Sequence, residues 1–212
     1  MAPTNRVHSC GDDLIGIDVT DSATAQALAT NLRSSGEWLD VVAGIDSVVL
    51  RFDAALKDAA KALQRASESL DFRVSASSDG LGVVEIPVCY GGENGPDIDD
   101  VCQQLGLQSD EFVALHTGGQ YIVDMLGFTP GFAYVSGLDG RLSVPRLEEP
   151  RVNVAAGSVG IADGRTGLYA LPGPGGWSIV GRTTYPLFDA SAHEPFALKP
   201  GMRIRFVAVD AG

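Results

Sequence analysis

Glycine and proline divide this 212-residue chain into two unlike parts, and that division constrains the fold more than any other feature. Residues 1–85 contain 6 of the 26 glycines and 1 of the 11 prolines; residues 86–212 contain the other 20 and 10. The first part can run through regular helix and strand. The second must turn often, as short-stranded β structure does. Two domains are expected, an α+β domain over 1–85 and a mainly β domain over 86–212, meeting near Val83–Pro87. At 45% hydrophobic content there is enough apolar material for packed cores, which excludes a disordered chain.

Periodicity fills in the first part. Residues 14–19 read as a strand. Asp21 or Ser22 caps a helix to about Ser34, with Ala25, Leu28, Ala29 and Leu32 on one face and Gly36 as its stop. Val41–Ala43 and Ser47–Phe52 read as a strand pair. Asp53 is expected to cap a second helix with an apolar stripe of Leu56, Ala59, Ala60, Leu63, Ala66 and Leu70, and with Lys57, Lys61 and Arg65 outward. A last strand near Gly82–Val88 completes the order βαββαβ, a ferredoxin-like unit.

In the second part Asp97 is expected to cap a helix over Ile98–Leu105, and Ser109 another over Asp110–Thr117. Strands are expected over Tyr121–Gly127, Arg141–Val144, Val152–Val159, Gly167–Leu171, Trp177–Arg182 and Met202–Val209. Their spacing suggests a closed or nearly closed β-barrel.

Charge narrows the function. The net charge of −12 argues against general nucleic-acid binding and against an anionic membrane surface. It is unevenly spread. Residues 86–140 hold eight acidic side chains and no Lys or Arg, whereas 141–182 hold five arginines against Glu148, Glu149 and Asp163. This is either a solvated mixed surface or an arginine-lined site for a carboxylate or phosphate. Cys10, Cys89 and Cys102 lack CxxC spacing, which suggests reduced thiols in a cytoplasmic protein. His8, His116 and His193 are too scattered for a metal site, so none is expected. The N-terminus reads as free of a signal peptide, and no apolar run is long enough for a membrane helix.

Four segments carry unusual residues. Gly127-Phe-Thr-Pro130-Gly131-Phe132-Ala-Tyr134 is either a tight turn with core aromatics or a rigid aromatic pocket loop. Val144-Pro-Arg146-Leu-Glu-Glu-Pro-Arg151 places two arginines on a stiffened loop suited to an anion. Ala155-Ala-Gly157-Ser158-Val brings small residues and a hydroxyl, without the G-x-S-x-G elbow of a serine hydrolase. Pro172-Gly-Pro-Gly175-Gly176-Trp177…Gly-Arg182-Thr183 is neither a Walker A loop nor a dinucleotide fingerprint. It is a glycine-rich hairpin under Trp177, or a backbone packed against something flat. His116, near the end of the second short helix, is a hydrogen-bonding histidine or a candidate base.

Together these segments, with Ile86-Pro-Val-Cys-Tyr-Gly-Gly and Leu115-His116, resemble the allophanate hydrolase subunit 1, or KipI-like, family. Its best-defined bacterial member is the B subunit of ATP-dependent 5-oxoprolinase. The resemblance implies an α+β domain followed by a cyclophilin-like β-barrel. It implies a companion, a cyclophilin-like second protein of the 5-oxoprolinase C type, and a third protein of the 5-oxoprolinase A type. The complex would use ATP to open 5-oxoproline to glutamate, with the isolated chain inactive. The family also includes an inhibitor of a sporulation histidine kinase, and the pair of companion chains resembles the carboxyltransferase part of urea carboxylase. The Ser–Ser–Lys chemistry of true allophanate hydrolases has no counterpart here. On this reading His116, Arg146, Arg151 and Ser158 are the candidate catalytic residues. The candidate substrate-binding residues are Pro130, Gly131, Phe132, Tyr134, Gly157, Tyr169, Gly175, Gly176, Trp177, Arg182 and Thr183.

Overall fold

The computed structural model describes residues 6–55, 58–71 and 82–210. The chain separates into two units, Met1–Asp79 and Gly80–Gly212. In the first, β1 (Val7–Ser9), β2 (Leu14–Asp18), α1 (Ser22–Ser35), β3 (Asp40–Ala43), β4 (Ser47–Arg51) and α2 (Ala59–Glu68) follow one another. The strands form an antiparallel sheet in the order β1-β2-β4-β3.

Helix α1 begins and ends where its sequence dictates. The Asp21 carboxylate accepts the Thr24 N–H at 2.7 Å, satisfying a donor that the first helical turn leaves free. Gly36 closes the helix in the left-handed conformation. The buried residues of α1 are Ala25, Leu28, Ala29 and Leu32, the predicted stripe. They share one core with Ile15, Ile17, Val48 and Leu50 of the sheet and Ala62 and Ala66 of α2.

Helix α2 corrects an expectation. It starts at Ala59, capped by the Asp58 carboxylate on Lys61 N–H at 2.8 Å. Asp53 accepts the Ala55 N–H and closes a turn instead. A carboxylate three residues ahead of a free N–H can cap at either position, so composition alone does not place the start. Ala59 and Ala60 face solvent, while Leu56 and Lys57 lie outside the described residues.

The ferredoxin-like order is also corrected. The strand expected over Gly82–Val88 is β5 (Val84–Tyr90), which runs parallel to the C-terminal strand β13 (Arg203–Ala208) in the second unit. The described elements of the first unit therefore run ββαββα, with Val7–Ser9 at the sheet edge beside β2. Alternating apolar residues mark β5 as half-buried but carry no label for the sheet that receives it.

The second unit adds α3 (Ile98–Leu105), α4 (Ser109–Thr117), β6 (Tyr121–Leu126), β7 (Ala133–Ser136), β8 (Arg151–Val154), β9 (Ser158–Ala162), β10 (Arg165–Leu168), β11 (Gly173–Gly175) and β12 (Ser178–Arg182). Seven strands close into a barrel in the order β10-β7-β6-β13-β5-β12-β9, and β8 with β11 forms a separate ribbon. Inward-facing Ile86, Val88, Val123, Val135, Ile161 and Phe206 belong to its core.

Four expectations fail locally. The strand read over Arg141–Val144 is a 3-10 turn at Gly140–Leu142, because the Asp139 carboxylate accepts the Arg141 N–H at 2.9 Å and caps it. The run Val152–Val159 is broken into β8 and β9 by a turn in which Gly157 has φ +81°. At α3, Asp97 makes no capping bond; its carboxylate points to the barrel. Ser109 is not the cap of α4 but its first residue; the start is held one residue earlier by a capping box of Gln108 and Glu111, whose longer side chains reach each other's backbone N–H.

Candidate functional site

The candidate residues fall in three places within the second unit. The first is the barrel core. His116 is fully buried. Its ring stacks on Phe112 and leans on Phe206, with centroids 6.0 and 4.6 Å away. Nδ1 meets the Tyr90 hydroxyl at 2.7 Å, and Nε2 meets Thr166 Oγ1 at 3.1 Å. A neutral imidazole has one donor and one acceptor nitrogen, so it satisfies one hydroxyl each way. Burial pushes the ring's pKa down from 6.5 to about 3, because charge in this apolar setting is not solvated. The ring here holds helix α4 to strands β5 and β10.

That burial has a measurable consequence. His116 binds a proton near pH 6.5 when the chain is unfolded, but only near pH 3 when folded. Its contribution to stability is therefore complete above pH 6.5 and is lost as pH falls through that window, at a slope of one proton. The folding constant is expected to fall about tenfold per pH unit from this group alone. Urea midpoints measured from pH 7 to pH 4 should show a shallower decline in His116→Gln than in the unchanged chain. Parallel pH profiles would remove this account.

The second place is an aromatic cluster. Phe132 sits edge-on to Tyr134 and to Tyr169, both at 4.8 Å, and to Trp177 at 5.9 Å. Phe132, Tyr169 and Trp177 are each less than a tenth exposed, so the rings form a satellite core with Val154 and Ile179. Of the two readings of the Gly127–Tyr134 segment, the turn with core aromatics describes Phe132. Pro130 stands exposed at the tip of that turn. Gly175 is buried against the Tyr169 hydroxyl, where an added Cβ would lie only 2.4 Å away. The Gly176 carbonyl accepts the Leu147 N–H at 2.8 Å, tying the glycine-rich loop to the arginine loop.

Both arginines of that loop have acidic partners in this chain. Arg146 lies 6.0 Å over the Trp177 ring and pairs with Asp163 at 3.1 Å. Arg151 pairs with the buried Asp97, whose other carboxylate oxygen accepts the Ile179 N–H at 2.6 Å. An arginine already holding a carboxylate is less available for a substrate anion. The sequence hid this because Asp97 lies 54 residues before Arg151 and reads as a helix cap.

The third place is a cavity of about 670 Å³ at the end of β5 and β12. Gly157, Arg182 and Thr183 line it, together with Cys89, Asn94 and Asp210. Cys89 and Arg182 stand opposite each other on the paired strands. The Asn94 amide donates to Cys89 Sγ at 3.2 Å. Arg182 Nε donates to the Ala156 carbonyl at 3.0 Å, and no carboxylate within 4 Å pairs with its guanidinium among the described residues. Gly131 forms part of the framework. Its φ is +78°, and a Cβ there would come within 2.8 Å of the wall residues Ala170 and Phe188.

Ser158 is buried at the start of β9, beside this cavity rather than on its wall. Both ring nitrogens of His116 are taken by Tyr90 and Thr166, so no serine–histidine couple forms. Nor are the nearby amides free to polarise a carbonyl. Gly157 N–H donates to the Tyr169 carbonyl at 2.7 Å, Ser158 N–H to Ala155 at 3.3 Å, and Thr183 N–H to Gly157 at 2.8 Å. The wall continues beyond the expected residues through Thr184–Phe188, whose sequence signal is Pro186 and Phe188, another constrained aromatic loop. Among the described residues no group of three His, Cys, Asp or Glu side chains could hold a metal, and no helix is long and apolar enough to cross a membrane.

Comparison with known proteins places these features in a family. Residues 5–198 match the model of the carboxyltransferase domain, subdomain C and D. The 5-oxoprolinase B subunit of Escherichia coli O157:H7 is 40% identical over 188 residues, covering 87% of this chain and 84% of that protein. The 5-oxoprolinase B subunit of Bacillus subtilis (strain 168) is 40% identical over 159 residues, covering 75% of this chain; the chain spans 63% of the Bacillus protein. The crystal structure of TTHA0988 superposes with a TM-score of 0.79 at 32% identity, over 98% of this chain and 41% of that longer chain. The chain therefore belongs to the carboxyltransferase subdomain C and D family, in the branch that contains the bacterial 5-oxoprolinase B subunits.

Proposed function

We propose that this chain is the B subunit of an ATP-dependent 5-oxoprolinase, acting with one partner protein of the C type and another of the A type. The observation that carries the reading is the 40% identity to a protein named as a 5-oxoprolinase B subunit, extending over most of both chains. In the proposed reaction the lactam C–N bond of 5-oxoproline breaks. Water supplies oxygen to the acyl carbon, which becomes a carboxylate, and the freed nitrogen becomes the ammonium of glutamate. ATP hydrolysis drives the step. The cavity at Arg182 supports a role in handling an anion, since its guanidinium is held by a carbonyl and not by an acid.

The test is reconstitution. The chain is co-expressed with the C-type and A-type proteins of the same genome, and 5-oxoproline-dependent ATP hydrolysis and glutamate formation are measured. Turnover is expected in the complex and not in the separate proteins. An assembled complex that hydrolyses no ATP in response to 5-oxoproline would overturn the reading. The family description favours one alternative, carboxyl transfer. Bicarbonate-dependent ATP hydrolysis with a biotinylated carrier would select it.

A further inference from the structure

We infer that the cavity at the end of β5 and β12 is a site for a small zwitterion of the α-amino-acid class, with Arg182 receiving the carboxylate and Asp210 the ammonium. The cavity wall contains one cation and one anion, Arg182 and Asp210. Neither is engaged in an ion pair within 4 Å among the described residues, although both open onto the same space. A simple anion placed there meets the field of Asp210, and a simple cation meets that of Arg182. A ligand carrying both charges is complementary to both.

The remaining wall fits the same class. Thr183 Oγ1 accepts the Tyr185 N–H at 3.0 Å, which leaves its O–H free to donate to a carboxylate oxygen. Pro87, Leu187 and Phe188 supply apolar surface for a side chain. The volume of about 670 Å³ holds an amino acid with several waters. Shape is fixed by close backbone approaches, since a Cβ on Gly157 would meet the Thr183 carbonyl at 2.3 Å. A preformed wall lowers the ordering cost of binding.

The choice of glutamate as the first probe rests on the proposed function; the charge pairing does not. Lactam opening creates an ammonium that 5-oxoproline lacks, so the site distinguishes product from substrate. The experiment titrates the full chain, by calorimetry and by amide chemical shifts, with L-glutamate, N-acetyl-L-glutamate, 5-oxoproline and L-leucine. L-Glutamate is expected to bind at least ten times more tightly than N-acetylglutamate or 5-oxoproline, with shifts at Thr183 and Val209. Arg182→Gln is expected to abolish binding, and Asp210→Asn to remove the preference for the free amine. Leucine binding that depends on its amine, with no glutamate binding, would keep the zwitterion site and separate it from the reaction. Equal binding of glutamate and N-acetylglutamate, no binding of any probe, or unchanged affinity in both variants would overturn the inference. A complex inactive towards 5-oxoproline whose chain still binds amino acids in this way would remove only the proposed function.

Discussion

Asp97→Ala is expected to destabilise the barrel unit by about 3 kcal/mol, the lower end for breaking a buried ion pair. The carboxylate is only 11% exposed, while its partner Arg151 is 33% exposed, which places the pair near that lower end. Alanine removes two bonds together. It orphans the Ile179 N–H inside the barrel and leaves the Arg151 guanidinium, whose Nη1 is already buried without a partner, with no counter-charge. Arg151→Met should cost less than alanine, because Asp97 retains the Ile179 N–H, which offsets part of the cost of leaving its buried carboxylate without a counter-charge. Asp97→Asn removes the charge and one acceptor together, since Arg151 and Ile179 N–H meet different oxygens of Asp97 and an amide presents an oxygen to only one of those two positions. Urea unfolding of the three variants checks that Asp97→Ala costs most, since it removes both bonds at once. A loss below about 1 kcal/mol for Asp97→Ala would mean that the pair behaves like an ordinary surface salt bridge.

The second large effect is expected from Gly157→Ala. Gly157 has φ +81°, a conformation that costs an L side chain about 1–2 kcal/mol. The added Cβ would lie 2.3 Å from the Thr183 carbonyl oxygen, which is backbone and cannot swing aside. Relief requires the end of β12 to move, and overpacking of this kind costs about 1–3 kcal/mol more. The displaced residue adjoins Arg182, so the cavity should deform as well as the fold weaken. Gly140→Ala is the control: nothing lies within 4 Å of its Cβ, and surface changes of this type stay within about 0.5 kcal/mol. Thermal unfolding and the amide shifts of Thr183 and Thr184 report both effects. Equal melting temperatures for the two variants would show that the 155–157 turn relaxes freely.

Much of the fold was legible because short-range rules govern it. Helix α1 was readable from Asp21 to Gly36, since cap, stripe and stop all lie within one segment. The barrel character followed from the spacing of short strands between frequent glycines and prolines. What was not legible were choices between equivalent local signals. Asp53 and Asp58 both offer a carboxylate before a helix, and the chain uses the second. Asp97 looks like a cap because it precedes a helix, yet its bonds go to residues 54 and 82 positions away. The edge strand Val7–Ser9 is too short for periodicity to show.

The candidate site divides in the same way. Its segments were legible because glycine, proline, arginine and aromatics concentrate in them. Their assembly was not. Phe132, Tyr169 and Trp177 close on each other, Arg146 and Arg151 meet acids of their own chain, and Arg182 alone of these three arginines reaches the cavity. The neutral state of His116 arises from burial among Tyr90, Phe112, Thr166 and Phe206, which come from four elements.

By itself, then, the sequence determined where the chain turns, which faces of its helices are apolar, and which loops are unusual, because backbone conformation and amphipathicity are properties of neighbouring residues. Only the tertiary structure decided which sheet receives Val84–Tyr90, which carboxylate meets which arginine, and which charges are left to face the cavity. Those outcomes depend on pairings between residues tens of positions apart. The strand partners are chosen by the closure of the whole barrel, and the side-chain charges are matched only once that closure has occurred.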